Sequence, residues 1–181
     1  MIPVKIESER LILRCPTSGD GAAVNEALRE SWAELSVWME WAQGEPPSVE
    51  DTTERVGSRE KGFIDRTDFS FAAFERESGQ FVGMFSLFQL DWTVPKGEIG
   101  YWVRSSATGR GFATEATLAL TKLGMEPLNL ARIEIRCDAL NVRSRAVAER
   151  AGYALDGILK HECRNPQGSL RDTCVYSQVF G

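Results

Sequence analysis

The chain is short of several things, and each shortage closes off a class of function. Its 181 residues include 4 cysteines and 1 histidine. Cys15, Cys137, Cys163 and Cys174 form no CxxC pair, and His161 alone cannot complete a zinc site at ordinary spacing. Neither a metal site nor a disulfide framework is expected, and reduced thiols suit a cytoplasmic protein. No apolar run approaches the roughly 20 residues that span a bilayer, and the opening Met1–Glu7 lacks the apolar stretch of a signal peptide. Membrane association is not expected. Cations are in deficit as well: 21 Lys and Arg against 26 Asp and Glu give a net charge of −5. A protein that coats nucleic acid needs clustered cations for the phosphates, so nucleic acid is not an expected partner. Repeats, low-complexity tracts and linkers are also missing, and the length suits one α/β domain over residues 1–181.

What is present is a strand-rich chain with few helices. Residues 4–14 alternate as one strand, and Asp20 is placed to cap a helix through Val24, Ala27 and Leu28. Three of the 5 tryptophans follow in the stretch Ser31–Trp41. Residues 48–64 read as one polar helix capped by Ser48. Residues 69–75 and 81–90 flank the turn Glu77-Ser78-Gly79-Gln80 as a hairpin, and Glu98–Arg104 is the next strand. A helix over 114–125, a strand over 132–137 and a helix over 141–151 ending at Gly152 follow. Two strands near 154–163 and 170–179 close the chain. Hairpins dominate and one helix crosses over, so the fold class is α+β: a mixed, mostly antiparallel twisted sheet of about seven strands flanked by helices.

The most informative segment leads from the strand through Thr108-Gly109-Arg110-Gly111-Phe112-Ala113-Thr114 into a helix. Small residues at 109, 111 and 113 let the backbone approach a ligand, and the free N–H groups of a first helical turn favour a phosphate or pyrophosphate. Arg110 adds charge beside it. No Lys follows the glycines, so a P-loop is excluded. A dinucleotide site is the competing reading, because GxGxx is present and Glu134 lies about 20 residues on. Thr114 at the third glycine position and the hairpin-rich lead-in count against it.

Taken in order, Glu98-Ile99-Gly100-Tyr101-Trp102-Val103, Gly109–Ala116, Asn141-Val142-Arg143-Ser144 and Ala151-Gly152-Tyr153 resemble the GCN5-related N-acetyltransferase (GNAT) family. Glu9–Arg14, the Trp38-Met39-Glu40-Trp41-Ala42 box and Gly168–Ser177 fit its RimJ/RimL-like branch of ribosomal-protein N-terminal acetyltransferases. The resemblance implies a transferase that moves acetyl from acetyl-CoA, its co-substrate, to a primary amine. The loop Gly109–Thr114 would hold the pyrophosphate, with Thr108 where the family carries Gln or Arg, and Arg104 and Arg110 in compensation. Trp102, Val103 and Arg104 would pair with the amide-bearing arm of the cofactor.

By the same resemblance Glu98 is the catalytic base, on a face shared with Gly100 and Trp102, and Ser144 donates to the leaving sulfur. Ala148 stands where other members carry a tyrosine for that step. Asn141 would bind the cofactor amides, a role compatible with capping its helix. A second base of the branch falls on Cys163; Glu162, one residue away, would face the other side of a regular strand. Trp38 and Trp41, on one face at helical spacing, would shape the acceptor pocket. The acceptor is a small-molecule amine or a protein N-terminus, and the enzyme a monomer or homodimer. A non-catalytic acyl-CoA-binding module is the remaining alternative.

Overall fold

A computed structural model describes residues 3–181. The alternating segments assemble into one eight-stranded sheet with the order β1-β2-β3-β4-β5-β6-β8-β7. The strands are β1 (Lys5–Glu7), β2 (Leu11–Arg14), β3 (Phe69–Glu75), β4 (Phe81–Asp91), β5 (Lys96–Val103), β6 (Arg132–Asp138), β7 (Ala154–Arg164) and β8 (Leu170–Val179). The helices are α1 (Gly21–Trp38), α2 (Val49–Gly57), α3 (Glu60–Asp65), α4 (Phe112–Met125) and α5 (Val142–Arg150). Every neighbouring pair is antiparallel except β5 and β6, the two strands that α4 joins.

Eight strands replace about seven because the expected single strand over 4–14 is two. The chain turns at Ser8, whose N–H donates to the Leu11 carbonyl at 2.9 Å. Glu115 of α4 holds the turn from outside. Its Oε1 accepts from Ser8 Oγ and from the Arg10 backbone N–H, each at 2.7 Å.

Alternation along the strands sends side chains to two apolar layers. Phe69, Phe71, Phe85, Leu87, Ile99 and Ile133 face α3, α4 and α5 in the larger core. Ala72, Phe74, Phe81, Met84 and Trp102 face α1 and α2. The apolar residues of α1 recur at Val24, Ala27, Leu28 and Leu35, the spacing of one helical face. Replacing a fully buried ring such as Phe71 or Phe85 by Ala would cost about 3–5 kcal/mol.

Three helix boundaries differ from the sequence reading. Asp20 precedes α1 but makes no side-chain cap; Arg14 takes its carboxylate instead, at 2.5 and 2.8 Å, along with the Thr17 N–H. α1 runs on to Trp38 and stops where Met39 turns extended, so Trp41 lies off the helix. The polar helix over 48–64 is two, α2 and α3. Ser48 caps α2 as expected, accepting from Asp51 N–H at 3.0 Å. Gly57 lies against Ser18, where an added Cβ would sit 3.3 Å from Ser18 Cβ, and the chain breaks just after that contact.

Candidate active site

β5 and β6 pair over only Lys96–Glu98 and Arg132–Glu134. Beyond Glu98, β5 keeps its bonds to β4 and β6 turns to β8, so the β6-facing edge of β5 from Ile99 to Val103 has no strand partner. A cavity of about 650 Å³ opens at this parting. Glu98, Gly100 and Trp102 form its floor, Trp38, Met39 and Trp41 one wall, and Cys137, Asn141 and Ser144 the other. Six residues separated widely in the chain and read as functional, Trp38, Trp41, Glu98, Trp102, Asn141 and Ser144, thus line one cleft.

Glu98 is half-buried, and its carboxylate has no hydrogen-bond partner among the described residues. Burial pushes its pKa up from 4.5 to about 7. Arg136 opposes that shift, while the like charges of Glu134 and Glu162 add to it. Such a carboxylate is poised to take up a proton near neutral pH.

Across the cleft Asn141 caps α5, its Oδ1 accepting from the Ser144 N–H at 3.1 Å. The Asn141 NH₂ group makes no hydrogen bond to described residues and remains a free donor. The Ser144 hydroxyl lies 3.2 Å from the hydroxyl of Tyr101, which also reaches the Ser144 carbonyl at 3.4 Å. Tyr101 stacks on Phe85 with ring centroids 5.6 Å apart. Burial raises its pKa to about 12 and that of the neighbouring Cys137 to about 11, so both stay protonated. Tyr101 escaped the sequence reading because it reads there only as one more aromatic strand residue.

The loop after β5 has the expected backbone. Gly109 (φ +74°) and Gly111 (φ +83°) are left-handed, a region that favours glycine. The N–H groups of residues 109–114, which include Phe112, Ala113 and Thr114, find no acceptor among the described residues. They form a cradle of free donors at the start of α4. Thr108, in place of the long polar residue, turns its hydroxyl inward to the Ser105 carbonyl at 2.8 Å.

The two arginines are placed otherwise than anticipated. The Arg104 side chain is buried, clamped by Glu26 and Glu30 of α1, and so turned away from the loop; only its backbone is at hand. Arg110 pairs with Glu75 and lies 4.5 Å over the ring of Phe112. The Trp102 ring likewise faces away from the unpaired edge of β5, 6.5 Å from Trp41 and 5.7 Å from Phe81. Its side chain packs against the smaller cluster under α1 and α2, whereas Val103 turns to the larger core.

β7 is not regular. Leu159 pairs with Thr173 and Cys163 with Arg171, so β7 carries two more residues than β8 across that interval, with His161 at φ +49°. The bulge brings Glu162 to Arg136, a residue of the cavity lining, and to Thr173, from which it accepts at 2.7 Å and 2.8 Å, while Glu162 itself lies outside that lining. The expectation that Glu162 faces the other way is corrected by that irregularity. His161 is exposed and does not line the cavity.

Similar proteins share one chemistry by description. A family model described as an acetyltransferase (GNAT) domain matches residues 10–154. The protein named "Putative ribosomal N-acetyltransferase YdaF" of Bacillus subtilis (strain 168) is 30% identical over 152 residues, covering 83% of this chain and 81% of its own. The ribosomal-protein-serine acetyltransferase of Escherichia coli (strain K12) is 27% identical over 152 residues, with the same 83% and 81% covered. Among solved structures, the RimL ribosomal L7/L12 alpha-N-protein acetyltransferase in complex with coenzyme A has a TM-score of 0.87 at 24% identity, covering 99% of this chain and 97% of its own. The microcin C7 self-immunity acetyltransferase MccE, in complex with acetyl-CoA and AMP, has a TM-score of 0.90 at 20% identity, covering 98% and 97%. At those identities the two structures speak for the fold.

Proposed function

The chain belongs to the GNAT family of acetyltransferases, and we propose that it transfers acetyl from acetyl-CoA to the α-amine of a protein N-terminus, in the cleft where β5 and β6 part. The observation that carries this reading is Glu98, a carboxylate with no hydrogen-bond partner and a pKa near 7 on the floor of that cleft. A base of that strength matches an α-ammonium, whose ordinary pKa is about 7.7–8.0, far better than a lysine side chain at about 10.4. Deprotonating the lysine uphill by more than three powers of ten would cost about 4–5 kcal/mol before any chemistry began.

The chain's residues fit acetyl-CoA as donor. The free N–H groups of residues 109–114 suit a pyrophosphate, and the open edge of β5 from Ile99 to Val103 suits the amides of the pantetheine arm. Asn141 keeps an NH₂ donor for the same amides. Acetyl-CoA supplies an acyl group already activated as a thioester. Glu98 accepts the proton of the amine, whose nitrogen forms the new bond to the acyl carbon. Ser144 donates to the sulfur as the carbon–sulfur bond breaks, in place of the tyrosine that Ala148 replaces. Trp38, Trp41 and Trp102 wall the acceptor side with flat apolar surface. That wall suits the first side chains of an extended peptide.

Release of free thiol from acetyl-CoA tests the reading, over peptides with a free N-terminus and the same peptides Nα-blocked but carrying lysine. Turnover confined to the free α-amines is expected. Turnover on lysine alone, or on no amine, would overturn it. Ser144→Ala should lower kcat roughly tenfold and leave the affinity for CoA within about twofold, as loss of one neutral hydrogen bond made in the transition state requires.

A further inference from the structure

Ser144 can serve the leaving sulfur only if its single proton points into the cleft. A serine oxygen offers two acceptor sites and one donor, and a free hydroxyl rotates to whichever neighbour attracts it. Here one protonated group stands against it. The Tyr101 hydroxyl lies 3.2 Å from Ser144 Oγ. Both residues line the cleft.

We propose that Tyr101 is a positioning residue for acyl transfer: its hydroxyl donates to the Ser144 oxygen, fills an acceptor site there, and leaves the Ser144 proton aimed at the leaving sulfur. The proposal rests on the role given to Ser144 above. Tyr101 gives up no proton in this scheme. Ser144 keeps its proton and shares it with the sulfur as a hydrogen bond, the thiolate leaves as the carbon–sulfur bond breaks and takes its proton from solvent, and Tyr101 holds the hydroxyl in its orientation. The stack of Tyr101 on Phe85 fixes the ring, so its hydroxyl cannot follow Ser144 if Ser144 turns.

The geometry also gives the buried strand tyrosine a polar partner. A buried phenol hydroxyl without a partner would be costly, and Ser144 is the partner that the fold supplies, through both its oxygens. Ser144 is in turn held at the backbone by Asn141, so the orientation of its hydroxyl is the one remaining freedom.

Tyr101→Phe keeps the ring and the Phe85 stack and removes one oxygen. It should lower kcat about tenfold, the value of one hydrogen bond, with the affinity for CoA and the melting temperature unchanged. In a Ser144→Ala background the same substitution should have no further effect, because the group it orients is gone. A Tyr101→Phe enzyme with normal kcat, beside a slowed Ser144→Ala enzyme, would overturn the positioning role and leave the function intact. Equal losses from Tyr101→Phe with and without Ser144 would overturn it as well. A normal Ser144→Ala enzyme would instead remove Ser144 from the reaction, and with it the premise.

Discussion

A carboxylate without a hydrogen-bond partner is costly to ionise in a cleft, and Glu98 is in that position. Its folded pKa near 7 stands above its unfolded value of 4.5, so folding favours the protonated form. The fold is therefore unpenalised below pH 4.5, loses stability as the pH rises from 4.5 to about 7, and carries a constant cost of about 3 kcal/mol above that. Glu98→Gln should raise the melting temperature at pH 8 and leave it unchanged at pH 4. A gain of equal size at both pH values would show that ionisation of Glu98 is not its source. The rate should move the other way. The wild-type enzyme should gain activity through pH 7 as Glu98 ionises. The variant should be slowed most between pH 7 and the pKa of the amine, and approach the wild type above it, where the amine is already neutral. At this scale the sequence was informative about which residues matter and silent about their surroundings. Glu98, Asn141 and Ser144 line the cleft as read, because motifs record chemistry. Tyr101 was missed because its role comes from a contact 43 residues away in the chain.

Elements show a different pattern of success. Strands β3, β4, β6 and β8 and the crossover helix were legible because alternation and helical spacing are local. The errors lie where a distant group decides: Glu115 turning the chain at Ser8, Ser18 lying against Gly57, and a bulge in β7 that turns Glu162 toward Arg136. The glycine loop belongs to the legible part, and its two glycines make separable predictions. Gly111→Ala would place a Cβ 3.3 Å from the Arg10 guanidinium at φ +83°, straining the backbone and shifting the N–H groups that open α4. Its KM for acetyl-CoA should rise about fivefold to tenfold, with kcat nearly unchanged. Gly152→Ala is the control: it also sits at φ +83°, at the end of α5, and should cost a similar amount of stability, about 1 kcal/mol, with no change in that KM. Asn141 separates in the same way. Asn141→Asp keeps the cap on Ser144 N–H but loses the NH₂ donor, so it should fold normally and bind CoA more weakly, whereas Asn141→Ala should lose about 1 kcal/mol as well. Titration calorimetry with CoA and thermal melting read the two effects independently.

The molecule as a whole holds its cleft open between two layers of unequal strength. α4 and α5 share the large core, while α1 and α2 meet the sheet through a smaller cluster in which Trp102, Phe81 and Phe74 carry much of the surface. Polar clamps supplement that weaker layer at the end of β5. Arg104 holds Glu26 and Glu30 of α1, Ser106 N–H donates to Glu30 at 2.7 Å, and Ser105 N–H donates to Ser31 at 2.9 Å. The sequence reading gave Arg104 a phosphate to bind, since a cation near a glycine loop invites that assignment. Its partners lie 74 and 78 residues earlier, and no local pattern reports them. The consequence is an acid-sensitive anchor between α1 and the end of β5. The Arg104 guanidinium lowers the pKa of Glu30 from 4.5 to about 2, so this clamp is fully present above pH 4.5 and is lost as the pH falls from there toward 2. With Glu30 partly open to solvent, the clamp should be worth about 1–2 kcal/mol. Glu30→Gln should therefore melt lower than the wild type at pH 7, with the gap closing as the pH is lowered toward 2. Arg104→Met, which leaves two carboxylates facing an apolar side chain, should lose more, about 2–4 kcal/mol. If the clamp sets the spacing of the cleft, both variants should raise the KM for the acceptor peptide more than that for acetyl-CoA, because α1 carries Trp38 into the cleft whereas the loop proposed to hold the cofactor opens α4. Equal increases in the two constants would mean that α1 supports the whole site rather than one side of it.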